Sequence, residues 1–184
     1  GGIIMYSFSF HIPTIIHFGK GTITHLEELK DYGKKVLLVY GGGSIKKNGI
    51  YDNAIKILKD AGLEILELSG VEPNPRIQTV REGVSICKEE KIDMVLAIGG
   101  GSTIDCAKVI AAGAKYDNDA WDLVLDGSKV NDALPIFDVL TLSATGTEMD
   151  PFAVISDLTK NEKWGTGSKH MIPTMSVLDP EYTY

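Results

Sequence analysis

The sequence predicts an α/β fold: an open parallel sheet with helices on both faces and a β-hairpin at its amino end. Three observations predict it. Short apolar runs such as Val36–Tyr40 and Met94–Ile98 are continuous rather than alternating, as in strands covered on both faces. They alternate with segments of helical periodicity, the pattern of parallel strands joined by right-handed crossovers. Two of the runs end in Gly-Gly-Gly-Ser, at Gly41–Ser44 and Gly99–Ser102, so glycines stand where the chain leaves the sheet.

The elements follow in order. Ser7 to Ile16 alternates and is broken by Pro13, which suggests two short strands in a hairpin or edge ribbon. Gly19 and Gly21 mark a turn, and Thr24 to Leu29 shows a short helical pattern with Glu27 and Glu28 outward. Val36–Tyr40 is the next strand. Ile50, Ala54, Ile57, Leu58 and Ala61 then recur at helical spacing, and Gly62 supplies the stop. Leu63 to Leu68 is a strand, and Glu72-Pro73-Asn74-Pro75 is a loop stiffened by two prolines. Ile77, Val80, Val84 and Cys87 form one face of the following helix.

Met94 to Ile98 is the central strand, flanked or capped by Asp93. The helix from Ser102 to Ala114 is small and apolar on most sides, which buries it. Trp121 to Leu125 reads as a short helix, Asp126 to Asn131 as a loop, and Ile136 to Leu142 as a strand. A polar loop, Ser143–Asp150, precedes a strand over Phe152 to Ser156. Asp157 to Lys163 is charged and turn-like, and Thr174 to Leu178 is the last strand.

Composition bounds the partners. Eighteen Lys and Arg stand against 25 Asp and Glu, a net charge of -7 with no long basic run. This argues against nucleic acid or an anionic membrane surface. It leaves room for a phosphorylated coenzyme, because backbone amides bind phosphate without net charge. Cys87 and Cys106 sit in helices without a CxxC or Cys/His cluster, the pattern of buried free thiols. No signal peptide or bilayer-length apolar stretch is evident, so a cytoplasmic protein is expected.

The chemistry concentrates at the glycine turns. Gly99, Gly100 and Gly101 allow close backbone approach to an anion, and Ser102 or Thr103 is placed to cap the helix that follows. A strand, a glycine turn and a helix N-terminus together make a phosphate site. The spacing matches neither G-x-G-x-x-G nor the P-loop. In an open parallel sheet ligands lie outside the carboxyl ends of the strands. Both glycine turns, the Glu72–Pro75 loop and the Ser143–Asp150 loop therefore belong on one rim. Ser143–Thr147 is no nucleophile loop, since no GxSxG elbow or activating histidine accompanies it. His11, His17, His25 and His170 are read as surface or packing residues, none with a carboxylate at i+3 or i+4 to make a metal face.

Tyr40–Lys47, Glu72–Pro75, Gly99–Ser102 with Asp105 and Lys108, Thr141–Glu148 and Val177–Pro180 occur in a set order and spacing. In these motifs the chain, from about Ser7 to Tyr184, resembles the amino-terminal domain of the iron-containing (group III) alcohol dehydrogenases. The nearest branch is the butanol dehydrogenase-like, NADP-preferring aldehyde reductases. The resemblance implies a Rossmann-like, dehydroquinate synthase-like domain over residues 5–184, and hydride transfer between a nicotinamide coenzyme and a primary alcohol or aldehyde.

Carried over residue by residue, the resemblance gives Gly99, Gly100, Gly101 and Ser102 to the coenzyme pyrophosphate. Thr141, Thr145 and Thr147 would line the adenine and ribose side. Asn74 would lie by the adenosine ribose and Lys163 by the nicotinamide ribose. Asp105, Asp150 and Tyr182 are weaker carry-overs, and Asp150 replaces an amide common among relatives. It further implies a divalent metal, iron or zinc, held by an aspartate and three histidines of a helical domain that is absent from this chain. No catalytic residue is assigned here.

Coenzyme choice follows from charge. A carboxylate after the first strand would hold both ribose hydroxyls of NAD and repel a 2′-phosphate. Here Gly41, Gly42, Gly43 and Ser44 follow Tyr40 with no acid, and Lys46 and Lys47 are near. NADP is expected over NAD. Dimerisation through the apolar Ser7–Phe18 edge is expected as well. A glycerol dehydrogenase-like enzyme and a stand-alone nucleotide-binding module without catalysis are the alternatives.

Overall fold

The computed structural model describes residues 14–141, 152–157 and 162–182, with 152, 162–164 and 182 described by backbone alone. Its strands are β1 (Ile15–Phe18), β2 (Lys35–Tyr40), β3 (Glu64–Leu68), β4 (Met94–Gly99), β5 (Ile136–Leu140), β6 (Phe152–Asp157), β7 (Glu162–Gly167) and β8 (Met175–Leu178). The helices are α1 (Ser44–Lys47), α2 (Ile50–Asp60), α3 (Ile77–Glu89), α4 (Gly101–Gly113) and α5 (Trp121–Leu125), with short 3-10 helices between.

Six strands form one Rossmann-like sheet in the order β1-β8-β5-β4-β2-β3, and every pairing is parallel. Successive side chains of a strand point to opposite faces, and here both faces are covered. Val36, Leu38, Leu96 and Ile98 pack with α2 and the 3-10 helix Thr22–Asp31. Leu37, Val39, Val95 and Ala97 pack with α3, α4 and α5. This double burial is why the strands read as unbroken apolar runs. Asp93 flanks its strand as expected: one carboxylate oxygen accepts the Lys34 and Lys35 N–H groups at 2.8 and 3.0 Å, joining the entries of β2 and β4.

Three segments differ from their sequence reading. Of the expected amino-terminal hairpin, the described part is β1, which pairs in parallel with β8 at the sheet edge; residues 1–13 lie outside the described residues. Thr22–Asp31 is a 3-10 helix rather than an α-helix. Its buried residues, Ile23, Leu26 and Leu29, are spaced by three, which matches a turn of three residues. Glu162–Gly167 is a strand, β7, paired antiparallel with β6, with Ile155 opposite Trp164. Its polar, glycine-bearing sequence carries no strand pattern; backbone pairing supplies it.

The β6–β7 ribbon is fastened to the helical layer. The Val154 N–H donates to Asp105 at 3.2 Å, and the Thr166 hydroxyl donates to the Leu123 carbonyl at 2.6 Å. The Ser156 N–H donates to the Pro75 carbonyl at 2.9 Å. Asp105 thus serves as an anchor for the ribbon.

Candidate functional site

The winding of the sheet locates the site. From β2 the chain steps outward to β3, returns past β2 to β4, and then runs the other way to β5 and β8. Direction reverses between β2 and β4, and ligands of open α/β sheets bind outside the carboxyl ends of the strands at such a point. A cleft of about 360 Å3 lies there, lined by Gly42, Ser44, Val71, Glu72, Pro73 and Gly100 to Thr103.

Local geometry builds its walls. Gly99 has φ 154, and a Cβ on it would come within 2.8 Å of the Thr103 hydroxyl, so only glycine fits this exit from β4. Thr103 is buried against that turn. The α4 helix therefore starts at Gly101 without a side-chain cap and with no acid in its first turn. The expected cap by Ser102 or Thr103 does not form, because both residues lie inside the helix. The Ser102 hydroxyl instead donates to the Pro73 carbonyl, tying the second glycine turn to the Glu72–Pro75 loop. An uncapped first turn presents N–H groups and a partial positive charge to the cleft.

The first glycine turn is tied to the same loop. The Gly70 N–H donates to the Gly41 carbonyl at 2.8 Å and the Val71 N–H to the Tyr40 carbonyl at 3.2 Å. Gly42 and Gly43 have open space where side chains would stand. The Thr141 N–H donates to the Gly99 carbonyl at 3.2 Å, which sets Thr141 beside the central turn. Asn74 is exposed on the loop next to Pro73. The structure thus gathers Gly41 to Ser44, Asn74, Gly99 to Ser102 and Thr141 on one rim. Thr145, Thr147 and Asp150 lie outside the described residues. Lys163 is in β7 and Tyr182 ends the 3-10 helix Pro180–Tyr182, each described by backbone alone.

Two arrangements escaped sequence reasoning. Glu67 of β3 accepts hydrogen bonds from the Tyr40 and Tyr51 hydroxyls, both at 2.8 Å, one to each carboxylate oxygen. Burial, then the Glu67 hydrogen bond, push the Tyr40 phenol up to about 12. Lys46 lies 4.8 Å from the Tyr51 ring centre and 5.7 Å from that of Tyr40. An acid therefore stands near the end of β2, contributed by the neighbouring strand and engaged on both oxygens. The second is Asp179, fully buried, whose carboxylate accepts the Gly21 N–H at 2.9 Å and the Glu181 N–H at 3.1 Å.

Metal-ligating residues do not converge on the cleft. Among the described residues, the one grouping of suitable side chains is His17, His25 and Glu28, on the far edge of the sheet. The expectation that no histidine has a carboxylate at i+3 fails there, since His25 Nδ1 lies 2.5 Å from Glu28. Both thiols are buried, and burial pushes Cys87 up to about 12 and Cys106 well above the ordinary range. Among the described residues no helix is long and apolar enough to cross a membrane.

The cleft suits a phosphate group in two ways: an uncapped helix start faces it, and Gly42 leaves side-chain space open on its wall. The family model "Iron-containing alcohol dehydrogenase" matches residues 13–180. NADH-dependent butanol dehydrogenase A of Clostridium acetobutylicum is 61% identical over 98% of this chain and 46% of its own length. The NADPH-dependent aldehyde reductase YqhD of Escherichia coli is 44% identical over 98% of this chain and 47% of its own. The crystal structure of NADH-dependent butanol dehydrogenase A from Thermotoga maritima superposes with a TM-score of 0.91 at 52% identity, covering 96% of this chain and 45% of that one. The chain spans about half the length of the curated relatives it matches.

Proposed function

The chain belongs to the iron-containing alcohol dehydrogenase family, and from that premise we propose that it is the coenzyme-holding domain, residues 5–184, of an enzyme interconverting a primary alcohol and its aldehyde. The observation that carries this reading is the uncapped start of α4 facing a glycine-walled cleft at the switch point of the sheet. In this reading the N–H groups from Gly100 to Ser102 hold the pyrophosphate. Asn74 and Thr141 flank the adenosine side, to which the resemblance also assigns Thr145 and Thr147. The resemblance further assigns Lys163 to the nicotinamide ribose and Tyr182 to the coenzyme contacts.

When bound, the nicotinamide supplies a hydride to the aldehyde carbon or accepts one from the alcohol. The residues of this chain bind and orient the dinucleotide and exclude water from its phosphates. The described residues offer no ligand set at the cleft for the iron or zinc that the family implies. A helical partner domain, a homodimer and a cytoplasmic location complete the reading.

Glu67 bears on coenzyme choice. Its two oxygens are engaged by Tyr40 and Tyr51, so it does not offer a ribose the free carboxylate that favours NAD. Gly41 to Ser44 leaves room and amides for a 2′-phosphate, which supports NADP. A second reading, NADH, is favoured by the names of the Clostridium acetobutylicum and Thermotoga maritima relatives. Calorimetric titration of the chain with both coenzymes tests this. Tighter NADPH binding is expected, and tighter NADH binding would sink it. Gly42→Asp places a carboxylate in open space at the end of β2, and it is expected to weaken NADPH by about tenfold or more while sparing NADH.

A further inference from the structure

His17 is the third residue of β1, the edge strand, and its ring stacks on that of His25 with centroids 3.5 Å apart and planes 4° from parallel. His25 and Glu28 belong to the 3-10 helix Thr22–Asp31. Three residues per turn put i and i+3 on one line, so both side chains rise toward β1 from the same stripe. One ligand atom from each of the three groups lies within 4.8 Å of the others. His17 Nε2 is shielded from solvent and has no hydrogen-bond partner. A buried ring nitrogen without a partner costs free energy unless something coordinates it.

We propose that His17, His25 and Glu28 form a binding site for one divalent transition-metal ion of the zinc class. Two imidazoles and a carboxylate are a ligand set of borderline ions such as zinc, cobalt and nickel. Magnesium and calcium take oxygen ligands and are not accommodated. Ligands on one tetrahedral zinc stand roughly 3.3 Å apart, given Zn–N distances of about 2.0–2.1 Å. The three atoms lie within 4.8 Å of one another, and rotation of the two imidazoles out of their stack brings their in-plane lone pairs onto one ion. The ion would clamp the 3-10 helix onto the strand at the sheet edge. The site uses residues of a single chain and is independent of the coenzyme reading.

The test is calorimetric titration of the chelator-stripped 184-residue chain with zinc chloride, with cobalt absorption spectra alongside. One zinc per chain is expected, with a rise in the thermal midpoint, and magnesium chloride gives neither. His17→Gln and His25→Ala each weaken zinc by about tenfold or more. Glu28→Gln weakens it less, and His170→Ala, on a separate short helix, leaves it unchanged. Melting of each variant in chelator shows whether the fold is intact. Absence of saturable zinc uptake by the unmutated chain overturns the proposal. So does uptake that survives both His17→Gln and His25→Ala, or that His170→Ala abolishes equally.

Discussion

Gly99 is the residue on which the site geometry turns. At φ 154 it lets the chain leave β4 while its backbone closes on Thr103. Gly99→Ala forces a Cβ against the Thr103 hydroxyl and an unfavourable backbone angle. It is expected to destabilise the chain by about 1–3 kcal/mol, measured by urea unfolding. The glycines were legible in the sequence, and so was their place at strand ends. What they do individually was not: Gly99 is required by sterics, whereas Gly42 and Gly43 face open space. The role of Ser102 was misread for the same reason. One residue of helix register decides whether a hydroxyl caps its own helix or reaches a neighbouring loop, and a sequence pattern does not resolve one residue.

At the scale of elements, the buried strands were the most readable because both faces are covered, and continuous hydrophobicity is a strong signal. The 3-10 helix was readable in principle. Ile23, Leu26 and Leu29 at spacing three are its signature, yet a short run of that spacing also suits one face of an α-helix. The distinction has consequences, since it sets His25 and Glu28 on one line. Leu26 is fully buried beneath that helix. Leu26→Ala is expected to cost about 2–5 kcal/mol, read as a lower urea midpoint with an unchanged slope. β7 could not be read, because a ribbon of Lys, Trp, Gly and Thr becomes a strand only through its partner β6. The tie from Ser156 to Pro75 then braces the loop that walls the cleft.

At the scale of the molecule, β1 borders the sheet among the described residues. Ile15 and Ile16 are 50% exposed and Phe18 69%. An apolar edge of this kind needs a cover, and a second copy of the chain is the cover proposed. Phe18→Asp is expected to shift the protein from dimer to monomer in light scattering; a monomeric unmutated protein would remove the dimer. The parallel order was inferable from alternation of strands and helices, but the pairing of β1 with β8 was not, since those strands are separated by nearly the whole chain. That pairing, with the buried Asp179 gripping the turn at Gly21 across 158 positions, has a kinetic meaning. Closing so large a loop is entropically costly, and long-range pairings form late. During synthesis β1 is made long before β8, so this edge of the sheet closes only after nearly all the residues between them have left the ribosome.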